Sequence, residues 1–193
     1  MSTEGVQIVL PIKRAMIGAI VRMVPGDERR ATMVERVGLA GKRRAQRSFA
    51  HFRNGSGAPV HIRTDRLLAD DAGVRDALLR SLCGVGPMTA DGTATRVHVS
   101  QTHFTNKDWC YALGSVDFEC RPVPGGFEVR ALGRYDWHPE EARPTRAIHE
   151  MAARMERRGA RAFDIVGDPV RIERDEIESV PRYRVLPIRT FLM

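Results

Sequence analysis

The stretch SVDFECRPVPGGFEVRALGRYDW, residues 115–137, determines the fold class of this chain. It is rich in β-branched and aromatic residues on both sides of Pro124-Gly125-Gly126, which is typical of two strands joined by a tight turn. The strand before this turn is expected within WCYALGSVDFECRP, residues 109–122, and RVHVSQTHF, residues 96–104, reads as a strand before that. Three consecutive strands with short connections predict an antiparallel, meandering sheet.

Helical patterns lie on both sides of this meander. Apolar residues recur at helical spacing from Arg14 to Val24, and from Thr145 to Arg158 with Gly159 placed to end the helix. A third helix is expected after Asp70 and Asp71, which can cap its first turn. Its apolar face is formed by Val74, Ala77, Leu78 and Leu82.

The order of elements predicts an α+β fold. FDIVGDPVRIE, residues 163–173, reads as a closing strand. Residues 1–47 have separated polar runs that end in the basic cluster KRRAQR, and they are interpreted as an N-terminal helical arm. Residues 48–193 are interpreted as the main domain with a short C-terminal tail.

The basic charge of the chain comes almost entirely from arginine. The net charge is +7, from 31 basic and 24 acidic residues, and only Lys13, Lys42 and Lys107 are lysines. Arginine forms bidentate contacts with phosphate and pyrophosphate. These charges could simply be scattered over a solvated surface, or they could serve a nucleic acid, an anionic substrate or a membrane face. The aromatic content of 6% disfavours a single-strand nucleic-acid binder.

Cysteine and histidine give little support for a metal site. Cys83, Cys110 and Cys120 form no CxxC pair, which argues against structural zinc. Cys110 and Cys120 could meet across a hairpin, although an odd number of cysteines more often indicates reduced, buried thiols. His98 and His103 are an odd number of positions apart, which places them on opposite faces of a regular strand.

The apolar run GVQIVLPIKRAMIGAIV, residues 5–21, contains Pro11, Lys13 and Arg14 in its middle. It is too short and too interrupted for a membrane span, and a signal peptide would have its charge before the apolar core. The sequence therefore predicts synthesis in the cytoplasm without a signal peptide.

The end of the third strand is the best candidate for chemistry, because no motif for a serine nucleophile, a nucleotide phosphate loop or a zinc protease is present. Asp136 follows Tyr135 where the chain leaves the sheet, and Arg143 lies seven residues further on. A carboxylate there can act as a general base or hold a divalent cation, and the arginine can meet a phosphate. In the alternative interpretation, Tyr135 and Trp137 fill the core, Asp136 caps the turn and Arg143 pairs with an acidic loop residue.

The segment RYDW, residues 134–137, followed by Arg143, resembles the signature of the colicin M family of bacteriocins. That signature reads Asp-x-Tyr-Asp-aromatic, then a short loop and an arginine. Three longer segments are also similar to the family, and the similarity covers roughly residues 48 to 174. They are AHFRNGSG at 50–57, YALGSVDFECRPVPGGFEVRALGRYDW at 111–137 and AIHEMAARMERRGARAFDIVGDPVRI at 147–172.

The resemblance implies a hydrolase of the peptidoglycan precursor lipid II that cuts between the undecaprenyl chain and the pyrophosphate. It implies a divalent cation such as Mg²⁺ and an open, half-barrel-like antiparallel sheet with flanking helices. It also places Tyr135, Asp136 and Arg143 in the site, with Asp136 as a metal ligand. The chain would then be an antibacterial effector acting in the target-cell periplasm on a lipid-linked pyrophosphate at a membrane surface, with an immunity protein as partner.

This sequence departs from the family signature at two positions. Gly133 stands where the family has its first aspartate, and Ala142 stands where it has a histidine before the arginine. Asp117, Glu119 or His138 are the candidates for a replacement in space. The alternative function is a catalytically inactive or non-enzymatic basic domain that binds nucleic acid or another polyanion. Arginines massed on one face would favour that alternative, and a second carboxylate near Asp136 would favour the enzyme.

Overall fold

The structure is a computed structural model, which describes residues 26–84, 93–136 and 153–180. Six strands form its sheet: β1 Val60–Ile62, β2 Thr95–Val99, β3 Val116–Val123, β4 Gly126–Tyr135, β5 Phe163–Gly167 and β6 Val170–Glu173. Its helices are α1 Asp27–Met33, α2 Arg43–Asn54, α3 Thr64–Asp70, α4 Ala72–Gly84, α5 Lys107–Leu113 and α6 Arg174–Glu178. A π-helical turn Val34–Gly38 follows α1, a 3-10 turn Gln101–His103 follows β2, and residues 153–157 are helical.

The strand order is β1-β5-β4-β3-β2, with β6 also paired to β4. The predicted meander is confirmed, because β2 pairs antiparallel with β3 and β3 pairs antiparallel with β4. The sheet is open, with β1 and β2 at its two edges, and the α+β class is therefore also confirmed. Beyond the antiparallel meander, β1 pairs parallel with β5, so the whole sheet is mixed.

The segment WCYAL, predicted as the beginning of a strand, is helical and belongs to α5. The Asn106 side chain caps this helix by accepting hydrogen bonds from the backbone N–H groups of Asp108 and Trp109. Gly114 ends it with a φ of 72°. The aromatic residues that suggested a strand are therefore part of a helix that buries Trp109 in the core.

The predicted closing strand is divided into β5 and β6 by a bulge. Val166 pairs with Leu132 and Val170 pairs with Val129, so three residues of the later segment face two of β4. In this gap the Thr64 hydroxyl accepts a hydrogen bond from the Ala131 N–H at 3.2 Å. The hydroxyl thus satisfies a strand N–H that the bulge leaves without a ladder partner.

One face of the sheet belongs to the hydrophobic core and the other is charged. Alternate residues of β3 and β4 are buried against the helices, and they include Phe118, Cys120, Val129 and Ala131. The largest fully buried side chains also include Phe49 and Phe52 of α2. This burial of α2 fixes one helix against the inner face of the sheet.

The helix expected after Asp70 and Asp71 is confirmed as α4. Val74, Leu78 and Leu82 are buried and Ala77 is half-buried, as the spacing predicts. Asp71 caps it by accepting hydrogen bonds from the N–H groups of Gly73 and Val74, each at 3.1 Å.

Several predictions lie wholly or partly outside the described residues. These are the helix from Arg14 to Val24, the first eight residues of the helix from Thr145 to Arg158, and the C-terminal tail. Gly159, predicted to end the later helix, has a φ of 106°. The division between an arm and a domain at residue 47 falls inside α2, which buries Ala45 before it and Phe49 after it.

Candidate functional site

Tyr135 is the last residue of β4 and lies in the core. Its side chain is 4% exposed, and its ring stacks on Phe163 with the centroids 5.0 Å apart. The ring also makes an edge contact with Phe52 at 6.3 Å. Burial raises the pKa of Tyr135 above its ordinary value, and the adjacent Asp136 charge adds to the effect. The phenol therefore stays protonated, and its contacts fix the end of the strand.

Asp136 is exposed and follows the last ladder pair, Tyr135 with Phe163. Two residues earlier, Arg134 points to the outer face of the sheet and forms an ion pair with Asp164 of β5 at 3.3 Å. Asp164 is the direct cross-strand partner of Arg134. Asp136 lies one residue beyond this ladder, and continuing the register would make Asp164 its diagonal neighbour, at the roughly 7–8 Å typical of such positions. The strand end thus has two exposed carboxylates beside one guanidinium.

Arg134 and Asp164 were not predicted as site residues. The signal for Asp164 was present in FDIVG, where Phe163 and Ile165 are buried and Asp164 between them is exposed. The sequence could not show that Asp164 lies opposite Arg134, because that register results from the pairing of distant strands. Arg143 lies outside the described residues, as do Trp137 and His138.

The segment AHFRNGSG meets the same strand end from the other side. The His51 ring makes an edge contact with Phe163, with the centroids 4.6 Å apart. His51 Nε2 lies 2.9 Å from the Ala58 carbonyl oxygen and 3.2 Å from Ser56 Oγ, which ties the turn to the helix end. Gly55 ends α2 at a φ of 69°. Two segments about 80 residues apart in the sequence therefore converge through Phe163.

Gly133 faces the core rather than the carboxylates at the strand end. A Cβ placed there would lie 3.7 Å from Ile165 Cβ and 3.8 Å from the Ser115 carbonyl oxygen, which are ordinary contacts. Position 133 shares its face with buried Tyr135, whereas Arg134 is exposed on the opposite face. An aspartate at this position would point toward Ile165.

The proposed replacements for the missing aspartate are placed as follows. Asp117 pairs across the sheet with Leu132 and lies 2.7 Å from His98 Nδ1 on the outer face. Glu119 lies two residues further along β3 on the same face. Neither carboxylate is on the inner face where the side chain of residue 133 would lie. The exposed carboxylate at this strand end is Asp164, which pairs with Arg134 two residues before Asp136.

Among the residues that the structure describes, no group of three or more His, Cys, Asp or Glu side chains could hold a metal ion. Mg²⁺ commonly uses one or two protein carboxylates together with water and substrate phosphates. Asp136 and Asp164 match that smaller donor set, and both are exposed. A cation bound at this strand end would take most of its ligands from water and substrate phosphate.

The cysteines within the described ranges are free thiols. Cys110 and Cys120 are buried and are not bonded to each other, and Cys83 is half-buried. Burial raises the pKa of Cys120 to about 12, so this thiol remains protonated at neutral pH. It is not suited to act as a nucleophile.

The outer face of the sheet alternates in charge. Cross-strand rows place an acidic residue between two arginines: Arg96, Glu119 and Arg130 form one row, and Arg121, Glu128 and Arg171 form another. On this face the arginines are balanced by carboxylates and are not massed into a basic surface. Among the described helices, none is long and apolar enough to cross a membrane.

Comparison with known proteins found no family model that matches this chain. No curated protein sequence matches it. No solved structure matches it. The resemblance to the colicin M family therefore depends on the residues quoted above alone.

Proposed function

We propose that this chain is a colicin M-like antibacterial effector that hydrolyses lipid II at the bond between the polyprenyl chain and the pyrophosphate. One observation carries the proposal: His51 of AHFRNGSG and Tyr135 of RYDW both pack against Phe163. The two segments on which the resemblance depends thus meet at the end of β4. That end presents the exposed carboxylates Asp136 and Asp164.

Each residue at the strand end has a role in this proposal. Asp136 and Asp164 would hold Mg²⁺, and Asp136 is the carboxylate placed to activate water. A bound Mg²⁺ supplies positive charge to the pyrophosphate. Arg134, together with Arg143 from the family signature, would stabilise the negative charge that develops on the pyrophosphate as it leaves. Tyr135 stays neutral and holds the strand end in place.

The cellular setting follows from the same proposal. The substrate is a lipid-linked pyrophosphate at a membrane surface, and the effector would meet it in the target-cell periplasm after delivery. A producing cell would protect itself with an immunity protein.

The test uses the full chain with detergent-solubilised lipid II and Mg²⁺, and chromatography follows release of the soluble pyrophosphate-linked product. We expect Asp136→Asn to lower the cleavage rate by about 100-fold or more, since it removes the negative charge of the carboxylate proposed to bind Mg²⁺ and activate water. Asp164→Asn should lower it by about 10-fold or more, because a second carboxylate no longer supports the cation. Chelation with EDTA should abolish cleavage, and added Mg²⁺ should restore it.

Glu128→Gln is the matched control for these variants. Glu128 is an exposed carboxylate on the same strand, β4, in the row with Arg121 and Arg171, away from the strand end. This variant should cleave at the rate of the unmodified chain. Intact lipid II at high protein concentration, or equal rates for Asp136→Asn and Glu128→Gln, would overturn the proposed function.

A further inference from the structure

Two large hydrophobic side chains are exposed on the first helical unit, which consists of α1 and the π-helical turn Val34–Gly38. Met33 is 39% exposed and Val37 is 43% exposed, and they are the exposed large hydrophobic residues found among the described parts of the chain. They lie four positions apart, about one helical turn, so they can form one small apolar surface.

The inner side of this unit is anchored to the rest of the molecule. Ala31 is 1% exposed and Leu39 is 2% exposed, and both belong to the hydrophobic core. The Glu35 carboxylate is bound by Arg53 of α2 at 2.9 Å. Ala31, Leu39 and the Glu35 side chain therefore all contact the rest of the protein. Other residues form the outer side of this helical unit.

The outer side combines the apolar pair with arginine. Arg29 and Arg36 are exposed and lie within one turn of Met33. We define the lipid patch as Arg29, Met33, Arg36 and Val37. Two of these four residues are positively charged and two are apolar, and none of the four is acidic.

We propose that the lipid patch docks this protein on an anionic lipid bilayer. Arginines attract the phosphate groups of anionic lipids, and apolar side chains at the same surface can enter the boundary between headgroups and acyl chains. A nucleic acid would satisfy the arginines but would leave Met33 and Val37 in water, so a bilayer matches more of the patch. This inference goes beyond the cleavage reaction and does not depend on it.

The test measures co-flotation of the full chain with vesicles that contain no lipid II. We expect binding to vesicles of phosphatidylglycerol and phosphatidylcholine, and much weaker binding to vesicles of phosphatidylcholine alone. Met33→Ser combined with Val37→Ser should weaken binding by about tenfold, since the apolar contribution is lost. Arg29→Gln combined with Arg36→Gln should weaken it by about 25-fold, at roughly fivefold for each arginine.

Arg121→Gln combined with Arg130→Gln is the matched control, because it removes the same charge from the outer face of the sheet. This control should bind like the unmodified chain, and circular dichroism should show that all variants keep their helices. Equal loss of binding in the control and in the arginine variant would overturn the proposal, as would full binding by the Met33 and Val37 variant. Binding to single-stranded DNA that survives loss of the apolar pair while vesicle binding is absent would identify a general polyanion surface instead.

Failure of the lipid patch would leave the proposed function intact, because cleavage is measured on detergent-solubilised lipid II. Conversely, loss of cleavage in Asp136→Asn with unchanged vesicle binding would show that the lipid patch acts independently of the strand end.

Discussion

Gly133 and Gly167 lie on the same inner face of neighbouring strands but have opposite surroundings. Gly133 pairs with Ile165, and Gly167 lies two residues beyond Ile165 on β5. A Cβ at Gly133 would make only ordinary contacts, whereas a Cβ at Gly167 would lie 2.2 Å from Thr64 Oγ1 and 3.0 Å from the Ala131 N atom. The glycine at 167 is therefore required by the close approach of the Thr64 hydroxyl to β4.

We expect Gly167→Ala to lower the free energy of unfolding by about 2 kcal/mol, because the added methyl group forces Thr64 away from the Ala131 N–H. Gly133→Ala should change it by less than about 0.5 kcal/mol, since space is available and the alanine has better strand propensity than glycine. Urea denaturation followed by circular dichroism measures both values. Equal destabilisation by the two substitutions would contradict the packing described at Gly167.

At the residue scale, the sequence located the strand end but not its full composition. Tyr135 and Asp136 were recognisable because they end a strand pattern. Asp164 became a site candidate only because the structure pairs it with Arg134. That register depends on the nearby bulge, in which three residues between β5 and β6 face two residues of β4. Local spacing carries no information about pairing between such distant segments.

At the element scale, Asp71 joins α4 to the segment that enters α5. Its side chain is fully buried. Besides capping α4, it accepts hydrogen bonds from the backbone N–H groups of Thr105 at 3.0 Å and Asn106 at 3.0 Å, and from the Thr105 hydroxyl at 2.9 Å. The sequence predicted the local cap from position alone. The three bonds to residues more than 30 positions away could not be predicted, because Thr105 and Asn106 reach Asp71 only in the folded chain.

We expect Asp71→Asn to lower the free energy of unfolding by about 3 kcal/mol. The amide group that replaces one carboxylate oxygen donates hydrogen bonds and would face N–H groups that also donate. Asp65→Asn is the control, since Asp65 is exposed and its ion pair with Arg63 lies at the surface, where solvent screens such pairs and they contribute little. Urea denaturation measures the change in the free energy of unfolding for both variants. A decrease for Asp71→Asn no larger than that for Asp65→Asn would refute the role of Asp71 in holding α4 to the segment that enters α5.

At the scale of the whole molecule, the meander and the α+β class were predictable because β2, β3 and β4 follow one another in the chain and pair in that order, although α5 lies between β2 and β3. The mixed character of the sheet was not predictable. β1 is three residues long, and it pairs with β5 about 100 residues later in the chain. The sequence also does not predict where the N-terminal segment joins the core, because KRRAQR has the composition of a solvent-exposed basic run.

Residues 42–47 contain contacts that make them part of the folded body. The N–H groups of Arg44 and Ala45 donate to the Asp108 carboxylate at 3.2 and 3.0 Å, which caps α2 from α5. The Arg44 guanidinium lies 4.3 Å from the centre of the Trp109 ring and forms an ion pair with Asp70 at 2.6 Å. Ala45 itself is fully buried. The basic run KRRAQR, which was interpreted from the sequence as the end of an arm, therefore provides the first turn of the core helix α2.

A chain that begins at Lys42 and a chain that begins at Ser48 differ only in these six residues. We expect the shorter chain to be less stable than the longer one by about 3 kcal/mol, because it loses the burial of Ala45 and leaves the half-buried Asp108 without the N–H groups of Arg44 and Ala45 and the Arg44 guanidinium. Urea denaturation of the two chains measures the difference. Equal midpoints and slopes would show that residues 42–47 belong to a separable arm, and the boundary predicted at residue 47 would then be right. A large difference would move the start of the folded domain to the beginning of α2 or earlier, since the same core that buries Phe49 also buries Ala45.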